Sequence, residues 1–272
     1  MDRSGHEDAH PSTGATEPRV DTSSPNVARM YDYYLGGAAN FAVDREAAER
    51  ALAITPEIGR FARMNREFLG RVVRYLCERD IDQFLDLGSG VPTVGNVHEI
   101  AHQHNPDARV AYVDHESVAI AHARALLAEE PYVSATQADI RRPAEVLSAP
   151  GVAGLLDFSR PVAVLAVAIM HFVPDADDPV GILRAYRAAC APGSYLALSH
   201  AATITMTESE SQRGQGVYRS TTTPLVLRDR DEIAALFDGC DLVEPGLTPI
   251  NHWPSQTEES PANGYGAVAE LR

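Results

Sequence analysis

The sequence has little cysteine and no long apolar run. Its three cysteines, Cys77, Cys190 and Cys240, are widely spaced, and no pair has Cys-x-x-Cys spacing. An odd number of isolated cysteines in apolar surroundings indicates free, buried thiols in a reducing compartment, so we expect a cytoplasmic protein. The N-terminus lacks a basic and apolar leader, and no run approaches the about 18 apolar residues of a membrane helix. The sequence therefore predicts neither secretion nor a membrane span.

Positive charge is also scarce. Lysine and arginine number 23 against 38 acidic residues, which gives a formal net charge of −15. Such a surface repels phosphate groups, so we expect no nucleic-acid and no membrane partner. Histidine is present without metal-ligand context: His98 and His102 are four residues apart on a predicted helix, but no carboxylate-positioning context supports a zinc site, and His6 and His10 lie in a polar tail. The sequence predicts no metal site.

The chain divides into a polar tail, a helical segment and a longer α/β segment. Residues 1–24 carry little to bury and are expected to be disordered. Residues 25–80 are predicted to form a cap of three helices, at 25–35, 44–53 and 56–79. For the first helix, Ser24 is the expected N-cap and Gly36-Gly37 the expected stop. Residues 81–272 form the predicted main domain.

Strands and helices alternate from Ile81 onwards, which predicts an α/β fold with parallel strands and helical crossovers. Within it, the polar stretch 201–227 has weak periodicity and is interpreted as a lid or substrate-facing insert. The predicted strands are 83–87, 109–113, 134–138, 162–168, 195–199, 247–250 and 265–271. The predicted helices are 94–104, 116–129, 179–190 and 229–237.

A glycine-containing loop follows the first strand, at 83–93. Gly88 and Gly90 lack side chains, so the backbone there can turn sharply and approach a ligand closely. A dinucleotide-binding loop needs a third glycine at position 93, where this chain has Thr93, and no Tyr-x-x-x-Lys pair is present. The Lys-Ser/Thr pair of a Walker loop is also missing. These features disfavour a nicotinamide-dependent oxidoreductase and a nucleoside triphosphatase.

The same loop resembles the first motif of class I methyltransferases. Its sequence from Asp86 to Thr93 is Asp-x-Gly-x-Gly-x-Pro-Thr, with Pro92 where that motif has a third glycine. Together with Tyr-Asp-Tyr-Tyr-Leu-Gly-Gly-Ala-Ala-Asn-Phe at 31–41, it is similar to a bacterial S-adenosylmethionine-dependent methyltransferase family long catalogued as a domain of unknown function. The similarity covers 25–272. It implies a Rossmann-like fold with a seven-stranded, mostly parallel sheet, an antiparallel last strand, and S-adenosylmethionine as cofactor.

Acidic residues end three of the predicted strands. Asp86, Asp114 and Asp139 each read alone as turn or cap residues, but ligands of open α/β sheets lie beyond these strand ends. A carboxylate after the second strand can accept hydrogen bonds from both ribose hydroxyls, which is the role we predict for Asp114. Asp139 is predicted to accept from the adenine amine, and the backbone amide of Ile140 to serve a ring nitrogen.

The methionine part of the cofactor requires a partner for its carboxylate. Arg66 is the candidate, with a solvated helix arginine as the alternative. The resemblance implies that Tyr33 and Asn40, which flank Gly36-Gly37, cover the ligand. The other predicted cofactor-binding residues are Asp86, Gly88, Ser89, Gly90, His115 and Ala168.

The catalytic residue is less defined. The fourth strand ends in Ala168-Ile-Met-His-Phe172, and the Asn/Asp-Pro-Pro-aromatic sequence of enzymes that methylate planar amines is absent. His171 is the candidate general base for a hydroxyl, because its unperturbed pKa is near 6.5; a hydrogen bond to a neighbouring loop is the alternative. His200 and Tyr218 have weaker claims.

Two functions remain open from the sequence. The first is methyl transfer from S-adenosylmethionine to an unidentified small molecule, with S-adenosylhomocysteine as product. The second, suggested by the lack of a decisive catalytic residue, is a non-catalytic S-adenosylmethionine-binding sensor or partner protein. The sequence does not predict the oligomeric state.

Overall fold

A computed structural model describes residues 22–92, 95–219, 221, 223–255, 257 and 259–272. Most of the predicted tail 1–24 lies outside that part of the chain, as does Thr93. The N-terminal segment forms α1 (Val27–Tyr34), α2 (Ala42–Ile54) and α3 (Glu57–Cys77).

Helix α1 begins one residue after Asn26, so the expected Ser24 cap is wrong. The Asn26 side-chain oxygen accepts hydrogen bonds from the backbone N–H groups of Ala28 and Arg29, at 2.8 and 3.3 Å. An asparagine directly before the first helical residue satisfies these otherwise unpaired donors. The last helical residue is Tyr34 and Leu35 is the C-cap. The next residue, Gly36, has a left-handed φ of +79°.

Helix α3 packs against both the sheet and the other N-terminal helices. Its C-terminal half packs Phe68, Val72 and Leu76 against Phe84 of the sheet, whereas Ala62, nearer its start, packs with α1. The division into a cap at 25–80 and a main domain at 81–272 therefore stays a proposal.

The strands form one sheet. Its order is β3-β2-β1-β4-β5-β8-β6, with β7 also paired to β8; β1 to β5 are mutually parallel and β8 runs antiparallel to β5. This confirms the predicted Rossmann-like fold. The sheet has eight strands because β6 and β7 share the outer edge of β8. The strands are β1 Gln83–Leu87, β2 Arg109–Asp114, β3 Val133–Gln137, β4 Ala163–Val167, β5 Tyr195–Ala201, β6 Asp241–Leu242, β7 Thr248–Pro249 and β8 Gly264–Glu270.

Helices pack on both faces of the sheet. They are α4 Val97–His104, α5 Ser117–Leu126, α6 Pro143–Ser148, α7 Pro150–Ala153, α8 Pro179–Ala188, α9 Glu208–Tyr218 and α10 Arg230–Ala235. The sequence does not predict α9, which lies in the 201–227 insert, because that segment has a weak apolar stripe. A signal was present: Thr207 and Glu210 form a capping box, with Glu210 N–H to Thr207 Oγ1 at 3.3 Å and Thr207 N–H to Glu210 Oε2 at 2.8 Å.

The insert packs on the N-terminal helices. Met30 and Tyr34 of α1 and Ala47 of α2 form a buried apolar cluster with Tyr218 of α9. The N-terminal helices and α9 therefore cover the same end of the sheet, and we call α1, α2, the start of α3 and α9 the cap.

Two further sequence predictions concern thiols and membranes. The three cysteines are free, as predicted, but they are partly buried rather than buried. None of the helices that the structure describes has both the length and the apolar character needed to cross a membrane.

Candidate functional site

The glycine loop turns at the carboxyl end of β1. Gly88 and Gly90 have φ of +72° and +66°, which residues with a side chain rarely adopt. A Cβ on Gly88 would overlap the side chain of Ile169, so the loop lies close to the segment after β4. Ser89 Oγ is buried and has no hydrogen-bond partner among the described residues. This unpaired hydroxyl indicates a place for a polar ligand atom.

Asp114, at the end of β2, holds that loop in place. Its Oδ2 accepts from the Gly90 N–H and its Oδ1 from the Glu116 N–H, both at 2.8 Å. Asp114 is only 4% exposed. The half-exposed ring of His115 lies beside it, with Nδ1 3.6 Å from Oδ1. Since each carboxylate oxygen has two lone pairs, Asp114 can still accept bonds from a ligand.

Asp86 is buried beneath the loop. Burial raises its pKa to about 7; Arg66 acts to lower it, and the charge of Asp114 raises it further. Arg66 donates to Asn96 Oδ1 at 2.9 Å. A buried carboxyl with a pKa near neutrality is characteristic of ligand-binding and catalytic sites.

One cavity connects these groups with the ends of β4 and β5. Its empty volume is about 1430 Å³, including solvent at the mouth. The sequence-predicted residues that line it are Arg66, Asp86, Gly88, Ser89, Gly90, Asp114, His115, Ala168, His171 and Tyr218. Cap residues that the sequence analysis did not single out, including Tyr31, Tyr34 and Phe61, line it as well.

Tyr33 and Asn40 lie outside that cavity lining. The Tyr33 hydroxyl donates to Glu49 Oε1 at 3.0 Å on the far side of α1. Asn40 donates to Asp32 Oδ2 at 2.8 Å and lines a neighbouring depression, which shares Arg66 and Leu35 with the main cavity. Tyr31 and Tyr34 face the cavity because residues three apart lie on one side of a helix.

Asp139 and Ile140 also lie outside the lining. Arg141 binds Asp139 through several contacts, the shortest at 2.7 Å, and this pairing lowers the Asp139 pKa. Ile140 is buried, and its carbonyl accepts from the Tyr186 hydroxyl at 2.9 Å. The structure therefore does not bring the two residues predicted to hold adenine to the cavity wall, and their role stays a prediction.

A polar chain fixes the end of β4 relative to the cap. The Ala168 N–H donates to Ser199 Oγ at 2.9 Å, which in turn donates to Asn65 Oδ1 at 2.5 Å. The Asn65 side chain also donates to the Tyr31 hydroxyl at 3.0 Å. Ala168 has a positive φ of 56°. The chain holds this strained residue in the cavity wall.

His171 follows in a 3₁₀ turn and is 4% exposed. Its Nδ1 accepts from the Ala201 N–H at 3.2 Å, and its pKa lies well below the usual value because of burial, with smaller effects from His200 and Arg228. His200 lies outside the cavity lining. Its Nε2 accepts from Arg228 at 3.0 Å, and burial lowers its pKa to about 4.

No group of three or more histidine, cysteine, aspartate or glutamate residues forms a candidate metal cluster in the part of the chain that the structure describes.

Comparison with known proteins places the chain in a family. A family model described as S-adenosyl methyltransferase matches residues 13–271. A crystal structure of a proposed methyltransferase from Thermobifida fusca YX is 36% identical, with a TM-score of 0.88, covering 96% of this chain and 100% of that one. A DUF574 family protein from Streptomyces avermitilis MA-4680 is 37% identical, with a TM-score of 0.88, covering 93% and 100%.

More distant structures share only the fold. The N-methyltransferase NodS from Bradyrhizobium japonicum WM9, in complex with S-adenosyl-L-homocysteine, is 14% identical with a TM-score of 0.50, covering 89% of this chain and 98% of that one. No curated protein matches the chain. Because the family model spans nearly the whole chain and two relatives exceed a third identity over almost its full length, this protein belongs to the S-adenosyl methyltransferase family and uses S-adenosylmethionine.

Proposed function

We propose that the protein transfers the methyl group of S-adenosylmethionine to a small molecule that binds in the same cavity. The observation that carries this proposal is the continuity of the cavity from Gly88 and Asp114 to His171 and the cap. The net charge of −15 favours a small acceptor over a nucleic acid.

The residues at the ends of β1 and β2 fit the cofactor. Gly88 and Gly90 let the backbone approach it, and the unpaired Ser89 hydroxyl can bind a polar atom. Asp114 is proposed to hold the ribose and Arg66 the methionine carboxylate. His115 and Ala168 complete the proposed wall. When bound, the cofactor supplies an electrophilic methyl group on a sulfonium.

The protein's own contribution is positioning and exclusion of water. Direct displacement requires the acceptor atom to be held in line with the methyl group, and a closed site preserves that arrangement. Tyr31, Tyr34 and Phe61 of the cap supply the covering wall. We also propose a bacterial, cytoplasmic protein, which the free cysteines and the two bacterial relatives support.

Calorimetry and turnover together test the proposal. We expect S-adenosylmethionine and S-adenosylhomocysteine to bind, and radiolabelled methyl to pass to a component of a small-metabolite fraction. Nucleic-acid and protein fractions of the same extract serve as controls. Absence of cofactor binding would refute the proposal. Binding without transfer to any fraction would favour the non-catalytic sensor.

Cofactor affinity should rise with pH through the titration of Asp86. At pH 6 the carboxyl, with its pKa of about 7, is mostly protonated, whereas a cationic ligand favours the ionised form. We expect the Kd for S-adenosylmethionine to fall about tenfold between pH 6 and pH 8. Asp86→Asn should remove this dependence in calorimetric titrations. A wild-type Kd that does not change with pH would contradict the assignment.

The same pKa predicts the pH dependence of stability without cofactor. Between pH about 4 and 7 the folded protein holds a proton on Asp86 that the unfolded chain has lost. This group therefore makes the fold less stable as pH rises through that window. Urea titrations at several pH values should show that the free energy of unfolding declines less over this window in Asp86→Asn than in wild type.

Cap closure is expected to slow amide exchange. The segment 31–41 carries Tyr31 and Tyr34 into the cavity wall, and its loop is held by Asp32, which accepts from the Ala39 N–H at 2.9 Å. If the cap closes over bound cofactor, exchange across 31–41 should slow when S-adenosylmethionine is added. Peptides from α10 serve as an unaffected control. Protection confined to Gly88 and Asp114 would refute closure while leaving the cofactor assignment intact.

A further inference from the structure

His171 presents a hydrogen-bond donor to the cavity. Because its Nδ1 accepts from the Ala201 N–H, the proton of the neutral ring is on Nε2. The ring lines the cavity, and its hydrogen bond to the described residues is made through Nδ1, with none from Nε2. The charged group nearest the His171–His200 pair is Arg228, which is itself bound to Asp175. The neutral ring is therefore stable beside this cation.

A second donor lies in the same wall. The hydroxyl oxygens of Tyr34 and Tyr218 are 3.1 Å apart in a buried hydrogen bond. Only one of the two hydroxyl hydrogens lies between these atoms. Within the described part of the chain, the other hydrogen has no acceptor, and both tyrosines line the cavity. One O–H is thus available to a ligand.

The surrounding wall is aromatic and apolar. The ring centroids of His171 and Phe172 lie 4.4 Å apart and those of His171 and Phe61 6.3 Å apart, both in edge-to-face arrangements. Met206 and Leu225, both from the 201–227 insert, also line the cavity. Aromatic faces and edges arranged in this way match a flat ring.

Charged side chains line other parts of the cavity. Arg66, Asp86 and Asp114 lie at the β1 and β2 ends, proposed above for the cofactor. Glu57 is partly exposed at the start of α3 and pairs with Arg60. Apart from Glu57, one helical turn before Phe61, the described lining beyond β4 and β5 has no charged side chain, so an anionic acceptor would be desolvated there without a counter-ion.

We propose that the half of the cavity beyond β4 and β5, the acceptor subsite, binds an uncharged, flat aromatic molecule whose oxygen accepts hydrogen bonds from His171 Nε2–H and from the Tyr34–Tyr218 hydroxyl pair. This inference rests on the proposed function. His171 is a positioning donor in this arrangement and not a general base, because Nε2 already carries a proton. Any proton that the acceptor loses therefore passes to water.

The test uses the full chain saturated with S-adenosylhomocysteine, after binding of that product has been measured separately. Calorimetry then compares 2-naphthol with two analogues of the same shape: 2-methylnaphthalene, which lacks the oxygen, and 2-naphthoate, which is charged. We expect 2-naphthol to bind at least about threefold more tightly than 2-methylnaphthalene and at least about tenfold more tightly than 2-naphthoate.

Variants distinguish a donor from a structural residue. His171→Leu and Tyr218→Phe should each weaken the binding of 2-naphthol about three- to tenfold and leave the affinity for 2-methylnaphthalene unchanged. His171→Gln should retain most of the affinity, because an amide donates a hydrogen bond but cannot serve as a base. Replacement of the exposed His104 by leucine is the matched control and should change the affinity for neither ligand.

Each outcome bears on a separate claim. Equal losses for 2-naphthol and 2-methylnaphthalene in His171→Leu would show a structural role and overturn the proposal. Tight binding of 2-naphthoate, or no binding of any naphthalene to the product complex, would also overturn it while leaving the methyltransferase proposal in place. Failure of S-adenosylhomocysteine itself to bind would instead refute the proposed function.

Discussion

Replacing Arg29 with methionine is expected to lower the free energy of unfolding by about 3–5 kcal/mol. Arg29 is buried, and its Nε donates to the fully buried Asp44 at 2.7 Å, while a second nitrogen reaches Glu116 at 3.4 Å. The substitution leaves the Asp44 carboxylate buried without its cation. Urea denaturation of wild type and variant measures the loss.

An exposed pair in the same protein provides the control. Arg142 and Glu145 pair at 3.0 Å, but both side chains are 65% exposed, so Arg142→Met should cost less than about 1 kcal/mol. Adding Asp44→Asn to Arg29→Met should recover part of the loss, because the fully buried carboxylate at position 44 is then removed together with its cation. If Arg29→Met and Arg142→Met lower the free energy of unfolding by the same amount, burial of an ion pair does not control its contribution to stability.

Arg29 also connects the cap to the carboxyl end of β2, where Asp114 lines the cavity. Glu116 accepts from Arg29 and, at 2.5 Å, from the Asn26 side chain, and it lies two residues after Asp114. Loss of Arg29 should therefore loosen the cap over the cavity. We expect Arg29→Met to raise the Kd for S-adenosylmethionine as well, whereas Arg142→Met should leave it unchanged.

Asp114→Ala is expected to raise the Kd for S-adenosylmethionine at least about tenfold. A charge-assisted hydrogen bond contributes roughly 1.5–3 kcal/mol, and each 1.4 kcal/mol changes affinity tenfold. The structure gives a second reason, because Asp114 also accepts from the Gly90 and Glu116 N–H groups and so holds the glycine loop. Calorimetry measures the change, and circular dichroism checks that the fold is retained.

Two variants sharpen this prediction. Asp107→Ala removes an exposed aspartate outside the cavity and should leave the Kd unchanged. Asp139→Ala tests the predicted adenine contact: a weakened Kd would support it, whereas an unchanged Kd would fit the observed pairing of Asp139 with Arg141. An unchanged Kd for Asp114→Ala would remove that residue from the proposed site.

The fold was predictable because local patterns and the global topology agree. Short apolar strands alternating with amphipathic helices leave few arrangements open, and Gly88 and Gly90 mark a turn that other residues rarely adopt. The helix α9 escaped prediction because it buries little of its own surface and depends on the cap cluster around Tyr34. Its capping box was a local signal, whereas its apolar stripe was weak.

Residue roles in the site depended on contacts between distant parts of the chain. Residues 31–34 include three tyrosines. The orientation of α1 against α3 places Tyr31 and Tyr34 in the cavity wall, whereas Tyr33 contacts Glu49. Which ring nitrogen of His171 carries the proton depends on the N–H of Ala201, which lies thirty residues away at the end of β5. No local pattern contains such information.

The sequence by itself determined the α/β class, the glycine-containing loop from Asp86 to Gly90 and the acid at the end of β2, because these follow from short-range periodicity and backbone freedom. The tertiary structure alone decided which cap residues face the cavity, that Asp139 pairs with Arg141, and that His171 offers a donor. The physical reason is that burial, tautomer and ion pairing are set by neighbours brought together through folding.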